Sequence, residues 1–367
     1  LSGDTGTTRF WTVLLFNGIF FLLLTVGVLV VLCAATLAQG SWHIAYKRVI
    51  ESIVMAIPVF GVLACIIMMC VVWGDKHSIY EWVDKTLVSQ DKLLTKKSTF
   101  LNPAFYTLLS AVTIALWGFL GYRLRKLSLA EDLAPTGSRK IFWKAYRISA
   151  VFILVFALTN STSTWQWIMS IDVHWYSTLF AWYIFASLFV GGIAMLTLFV
   201  IVLRNLGFLE WLTYEHLHDM GKFMFAFSIF WTYLWFAQFI LIWYGNIPEE
   251  TTYFAIRMWG SYHTLFYLVL IINFVTPFLI LMTRDSKRNY TIVAYMAILV
   301  FIGHYLDFFV MFMPGTLKNN WHLGWYEIGI SLGFVGLMIL VVTRNLSKAP
   351  LFPKNNPYMK EAIIHRS

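Results

Sequence analysis

An all-α integral membrane protein with about nine transmembrane helices is predicted by three features of the 367-residue sequence. Only 12% of its residues are charged, while 59% are hydrophobic and 18% aromatic, and the mean hydropathy is +0.71. Soluble globular chains are typically about 45–50% apolar and about 25% charged. The apolar residues gather into long runs, and most of the lysines and arginines fall in the connections between them. So little charge cannot cover a water-facing surface of ordinary area. A soluble enzyme, a disordered chain and a nucleic-acid-binding module are therefore excluded. The net charge of +9 reads as basic membrane-flanking loops and not as a nucleic-acid surface.

A bilayer core takes ~20 apolar residues per helix. Nine such segments are expected: Phe10–Ala38, Val49–Trp73, Pro103–Leu124, Tyr146–Ser170, Ser177–Leu203, His218–Tyr244, Met258–Thr283, Tyr290–Met313 and Trp325–Thr343. The first is too long for a signal-peptide core and has no basic region before it. Asn102-Pro103 marks a helix start. Barrel strands would alternate at period two over short stretches, which these runs do not. The only interruptions are Pro58, Pro277 and Gly191-Gly192. The polar connections Gly74–Asn102 and Arg123–Ala145 are the longest, and a tail runs from Arg344 to Ser367. Of the 27 Lys and Arg residues, 8 fall on the side where the chain starts and 19 on the other. Positive charge marks the cytoplasm. Residue 1 is thus expected outside and Ser367 inside, with Trp and Tyr at the span ends forming interfacial belts.

Polar groups at membrane depth are costly, so each is a functional candidate. Toward the outer face lie Asn17, the run Thr159-Asn160-Ser161-Thr162-Ser163-Thr164, Gln166, Asp172, His174, His263, His304 and Asp307. Toward the cytoplasm lie Arg48 and Glu51, and the group His216, His218, Asp219 and Lys222. Tyr233, Gln238 and Asn273 stand between. Quinol oxidation needs two proton acceptors beside an aromatic apolar pocket. Asp172 and His174 suit that role, with Thr159, Asn160 and Thr162 of the hydroxyl run lining the approach. Proton conduction needs a chain of titratable groups; Glu51, His218, Asp219, Lys222, Tyr233, His263, His304 and Asp307 are its candidates. Haem b needs two facing histidines, and His263 with His304 is the only pair that nearly qualifies. The plainer alternatives stay open: hydroxyl runs that bind helices together, structural ion pairs at Arg48–Glu51 and Asp219–Lys222, and a satisfied His304–Asp307 hydrogen bond. The loop acids Asp75, Glu81, Asp84 and Asp91 read as solvated. Cys33, Cys65 and Cys70 form no metal-ligand pattern, so no metal site, iron–sulfur cluster or c-type haem is expected on this chain alone.

Several stretches carry a family resemblance. They are Trp165-Gln-Trp-Ile-Met-Ser-Ile-Asp-Val-His-Trp-Tyr-Ser-Thr-Leu-Phe180, His218-Asp-Met-Gly-Lys222 with Phe230-Trp231 and Gln238, Ile242-Trp-Tyr-Gly-Asn-Ile-Pro-Glu-Glu-Thr-Thr252, Asp307-Phe-Phe, and Trp321-His-Leu-Gly-Trp-Tyr-Glu-Ile328. Over essentially its whole length the chain resembles the ActF-type membrane subunits of bacterial alternative complex III. That complex is a quinol:cytochrome c oxidoreductase, and these subunits belong to the NrfD/polysulfide-reductase membrane-subunit superfamily. The resemblance implies two four-helix bundles, in residues 1–170 and 171–313, then a peripheral helix and cytoplasmic tail in 314–367. It also implies a tenth, N-terminal helix preceding this sequence. Quinone or menaquinone would be the small-molecule ligand, and the resemblance implies a pocket for it in the outer part of the first bundle, around Asn17, Thr159, Asn160, Thr162, Asp172 and His174. Iron–sulfur clusters and haems c would sit on partners: an iron–sulfur protein, a second NrfD-like membrane subunit and multihaem cytochrome c subunits, with a terminal oxidase and lipids as further neighbours. The location implied is the bacterial inner membrane. Two other functions remain open: a scaffold subunit of that complex, and a free-standing secondary transporter, for which the spans show little of the expected interruption.

Overall fold

The computed structural model describes residues 5–74, 79–135, 139–321 and 324–365. Leu1, Asp75, Lys76 and Ser367 lie outside them. Among the described residues there is no strand, and nine helices are long and apolar enough to cross a membrane. We number these α1 (Gly6–Leu37), α2 (Trp42–Trp73), α3 (Pro103–Glu131), α4 (Lys140–Ile171), α5 (Phe180–Asn205), α6 (Tyr214–Gly245), α7 (His263–Ile280), α8 (Tyr290–Leu317) and α9 (Trp325–Leu346). The chain is thus a multi-pass membrane protein. Successive spans alternate in direction, so one end of the bundle gathers the start of α1 (the Arg9 end). The other collects the C-terminal tail (the tail end).

The two interruptions expected at prolines are real, and each has a local cause. α2 breaks at Met55–Ala56, and Pro58 enters the first turn of its second half, where its missing N–H costs nothing. In α7, Pro277 cannot donate to the carbonyl four residues back. Residues Ile271–Val275 form a π-helical turn there, and the Thr276 hydroxyl bonds Ile271 O at 2.9 Å. The expected seventh span, from Met258, starts later. Arg257 and Met258 end a separate helix, Pro248–Met258, that lies outside α7.

Helix packing closes two four-membered rings. α1 packs on α2 and α4, α2 on α3, and α3 on α4; α5 packs on α6 and α8, and α7 on both of those. α1 with α5, α1 with α8, and α4 with α5 join the rings, while α9 lies outside them against α1 and the start of α2. Burial follows from this arrangement. The apolar window of α1 is 94% buried and that of α5 is 78% buried, against 22–33% for α3, α4, α6, α7 and α9. A helix apolar on every side belongs in the middle of a bundle. The outer helices turn Leu108, Leu154, Leu158, Leu241 and Leu332 outward, each more than 60% exposed, as a lipid-facing surface requires.

The rings meet where glycines let backbones touch. A Cβ on Gly27 of α1 would lie 2.2 Å from Leu188 O of α5, and one on Gly192 would lie 3.1 Å from Leu24 O. Four polar side chains of α1 donate to carbonyls of the same helix: Thr12, Thr25, Thr36 and Asn17 bond Thr8, Leu22, Leu32 and Val13 at 2.7–2.9 Å. At the tail end the chain folds back. Helix Met359–Ile363 packs on residues Trp42–Tyr46, Asn356 bonds Glu131 at 2.9 Å, and His365 bonds Asp219 at 2.6 Å.

Gly27→Ala is expected to lower thermal stability in detergent by about 1–3 kcal/mol, the usual cost of overpacking, because the obstacle is backbone. Gly118→Ala, whose Cβ would meet nothing nearer than 3.8 Å, should leave the melting midpoint unchanged.

Candidate functional site

The second ring encloses a carboxylate with no Lys or Arg in ion-pair contact among the described residues. Asp307 of α8 is 3% exposed. Its Oδ1 accepts the Tyr183 hydroxyl of α5 in a short hydrogen bond. Its Oδ2 accepts the Trp231 indole of α6 at 3.0 Å and the Ser187 hydroxyl of α5 at 3.2 Å. Ser187 Oγ also lies 2.8 Å from His304 Nδ1, one turn back on α8, and that nitrogen is 4.0 Å from Asp307. Helical spacing explains the convergence: Tyr183 and Ser187 are four apart on one face of α5, and His304 and Asp307 three apart on one face of α8. Three neutral donors on one carboxylate stabilise its charge. The bilayer-buried setting penalises that charge. The hydrogen bonds and the apolar setting thus act on that charge in opposite senses.

Around it are buried polar atoms with no hydrogen-bond partner: His304 Nε2, the Gln238 Oε1, and both amide atoms of Asn273. Asn273 sits in the π turn of α7 and faces Gly303, where a Cβ would lie 2.1 Å from its Oδ1. Polar atoms buried this way can still accept or donate hydrogen bonds. A cavity of about 30 Å³, enough for a water or two, lies between Asp307, Tyr183, Gln238, Tyr253 and Arg257.

Arg257 closes that cavity toward the Arg9 end. Its Nε donates to Val310 O at 3.0 Å, one Nη to Tyr253 O at 2.7 Å, and the other to Met311 O at 3.2 Å and to Asp172 Oδ2 at 3.0 Å. The guanidinium also lies 3.5 Å over the Tyr253 ring, which stacks on Trp175. From the sequence, Arg257 counts only as a loop charge. A signal was available: a cation four residues after a tyrosine, on a short helix opened by Pro248. Tyr183, Ser187 and Trp231 offered no signal, because hydroxyls and an indole in apolar runs look like ordinary span residues.

The remaining sequence candidates are dispersed. Asp172 goes to Arg257, while His174, 51% exposed at its side chain, pairs with Asp91 at 3.3 Å. The Asp84 and Asp91 carboxylates also cap short helices. In the hydroxyl run, Thr159, Ser161, Thr162 and Ser163 bond carbonyls one turn back at 2.5–3.1 Å. Thr159 also accepts the Trp117 indole, and Asn160 donates to Ala181 O of α5. Asn17 is enclosed in α1, away from Asp172. None of the six residues assigned to a quinol pocket lines the cavity beside Asp307.

Of the proton-path candidates, Glu51 is buried between Arg48 at 3.1 Å and Arg125 at 2.6 Å at the tail end of the first ring. Arg48 further pairs with Asp132. His218 and Asp219 lie at the tail end of α6, with Asp219 on Lys222 at 2.7 Å and on His365. Tyr233 is 65% exposed on the outer face of α6. His263 is exposed at the start of α7 whereas His304 is fully enclosed, so the two do not form a facing pair. Of the eight, only His304 and Asp307 meet in the central set.

The class defined by fold and site is a multi-pass membrane protein with a polar cluster inside its second ring. Compared with protein-family profiles the chain has no match, and a comparison with curated proteins finds none either.

Arg257→Met is expected to cost about 3–5 kcal/mol of unfolding free energy, the usual penalty for leaving one member of a buried pair uncompensated. Adding Asp172→Asn should restore part of it; thermal denaturation of the two variants in detergent is the measurement.

Proposed function

We propose that this chain is a membrane subunit of a bacterial respiratory quinol-oxidising complex of the alternative complex III kind, and that its second ring handles protons. The observation that carries the reading is Asp307, a deeply buried carboxylate held by three neutral donors and bordered by a cavity. Structural ion pairs do not have that form. Sequence stretches from Trp165 to Phe180 and from Trp321 to Ile328 support the family. A proton on Asp307 neutralises it, and release returns a carboxylate stabilised by Tyr183, Trp231 and Ser187. His304, one turn away, offers a second acceptor through Nε2. The Arg257–Asp172 pair continues the polar route to the Arg9 end, which the Lys/Arg distribution assigns to the outer face. Electrons would travel through iron–sulfur clusters and haems of partner subunits, with quinone or menaquinone as donor.

A second reading, a scaffold subunit without proton traffic, is favoured by the hydroxyl run and the Glu51 ion pairs, which serve only to bind helices. Asp307→Asn in the assembled complex separates the two. Quinol oxidation should persist while proton translocation in proteoliposomes falls to background. Normal translocation in that variant would leave the scaffold reading.

A further inference from the structure

We propose that a cavity at the Arg9 end of the first ring binds the phosphate of an anionic phospholipid. The cavity measures about 200 Å³ and lies between the short helix Lys92–Lys97, the end of α4 and the segment after it. It is lined by Lys97, Phe100, Trp165, Ser170, Trp175 and Tyr176, among others, and by no acidic residue.

Its polar chemistry is one-sided. Lys97 is half-buried, and its ammonium donates to Val173 O at 2.6 Å. An ammonium has three donors, and one neutral carbonyl leaves it poorly compensated for the water it has lost. Burial pulls its pKa below the usual lysine value, with Asp91 partly offsetting that. Asp91 itself is engaged elsewhere, capping helix Lys92–Lys97 and facing His174. The indole N–H groups of Trp165 and Trp175 are buried and have no acceptor, and Trp175 is only 2% exposed. A half-buried ammonium held by one neutral carbonyl, with two indole N–H groups that lack an acceptor in the same wall, favours an acceptor that brings a full negative charge.

Position names the source of that anion. Trp165, Trp175 and Tyr176 mark the level at which aromatic side chains meet lipid headgroups. Beside the cavity, Phe100 contacts Phe105. From Phe105 a stripe of exposed apolar side chains, Leu108, Val112 and Leu116, runs down α3 at helical spacing. That stripe offers the acyl chains a path into the bilayer directly below the headgroup site. A quinone ring would bring no charge to the Lys97 ammonium, which Asp91 only partly compensates.

The test is native mass spectrometry of the delipidated full chain, titrated with phosphatidylglycerol or phosphatidylcholine in mixed micelles. Phosphatidylglycerol should be retained in preference to phosphatidylcholine. Lys97→Gln should weaken that retention about fivefold, the effect of one lysine at a charged lipid surface. Lys97→Arg should keep it, as should Lys85→Gln, whose lysine is exposed on the same connection. Trp165→Phe removes an indole N–H from the cavity wall at a less buried position and should also weaken retention. Equal binding of the two lipids, or equal retention by Lys97→Gln and the parent chain, would overturn the proposal. Displacement of the lipid by menaquinone would overturn it in favour of a quinone pocket.

Discussion

The architecture rests on one close crossing, that of α1 with α5. Inside a bilayer, apolar side chains gain nothing by leaving lipid for protein, so helices associate through tight contact and hydrogen bonds. Gly27, Gly191 and Gly192 supply that contact by removing the atoms that would hold the backbones apart. The consequences spread outward. α1 becomes the shared wall of both rings, which is why it can be apolar on all sides. α5 is fixed in rotation, because Gly191 meets Leu24 of α1 on one side and lies near His304 of α8 on another. Ser187 and Tyr183, one and two turns before Gly191, then face α8. The polar cluster around Asp307 is positioned by a contact that involves no polar side chain.

The structure handles buried charge in two contrasting ways. At the tail end of the first ring, Glu51, Glu131 and Asp132 are met by Arg48, Arg125 and Lys47. Such a network holds its charges fixed, because removing any proton or partner leaves another charge stranded in a poorly solvated place. In the second ring the acid is met by hydroxyls and an indole. These can stay in place whichever protonation state the acid adopts. The first arrangement locks helices together; the second permits a change of charge with little rearrangement.

Much of the fold was legible in the sequence because its main driving force, the transfer of long apolar runs into lipid, depends on composition alone. The nine spans and the prolines in α2 and α7 follow from local rules. Gly191-Gly192 reads as an interruption in the sequence and is instead a contact, since a glycine pair looks the same whether a helix ends or a neighbour approaches. The polar sites were less legible because depth along a helix is readable but rotation is not. Asp172, His174, His263 and His304 share a level by residue count, yet α4, α7 and α8 turn them toward different partners. Tyr233 fails for the same reason: its helix face points outward. Asp307 and His304 do come together, because their spacing of three places them on a common face. Arg257 escaped notice since its helix, Pro248–Met258, is too short and polar to register as a span, although it carries the cation that reaches the edge of the buried cavity.

The fold-back of the tail bears on how the molecule is made. Residues 355–365 touch the start of α2, the end of α3 and the start of α6, three places far apart in the chain. All three must already be inserted and assembled before those contacts can form. A ribosome delivers the tail after every span it binds. Its docking therefore reports that α2, α3 and α6 have come together, and a nascent chain in which one of these is misplaced would leave this segment without a seat, accessible to the proteases that survey unfinished membrane proteins.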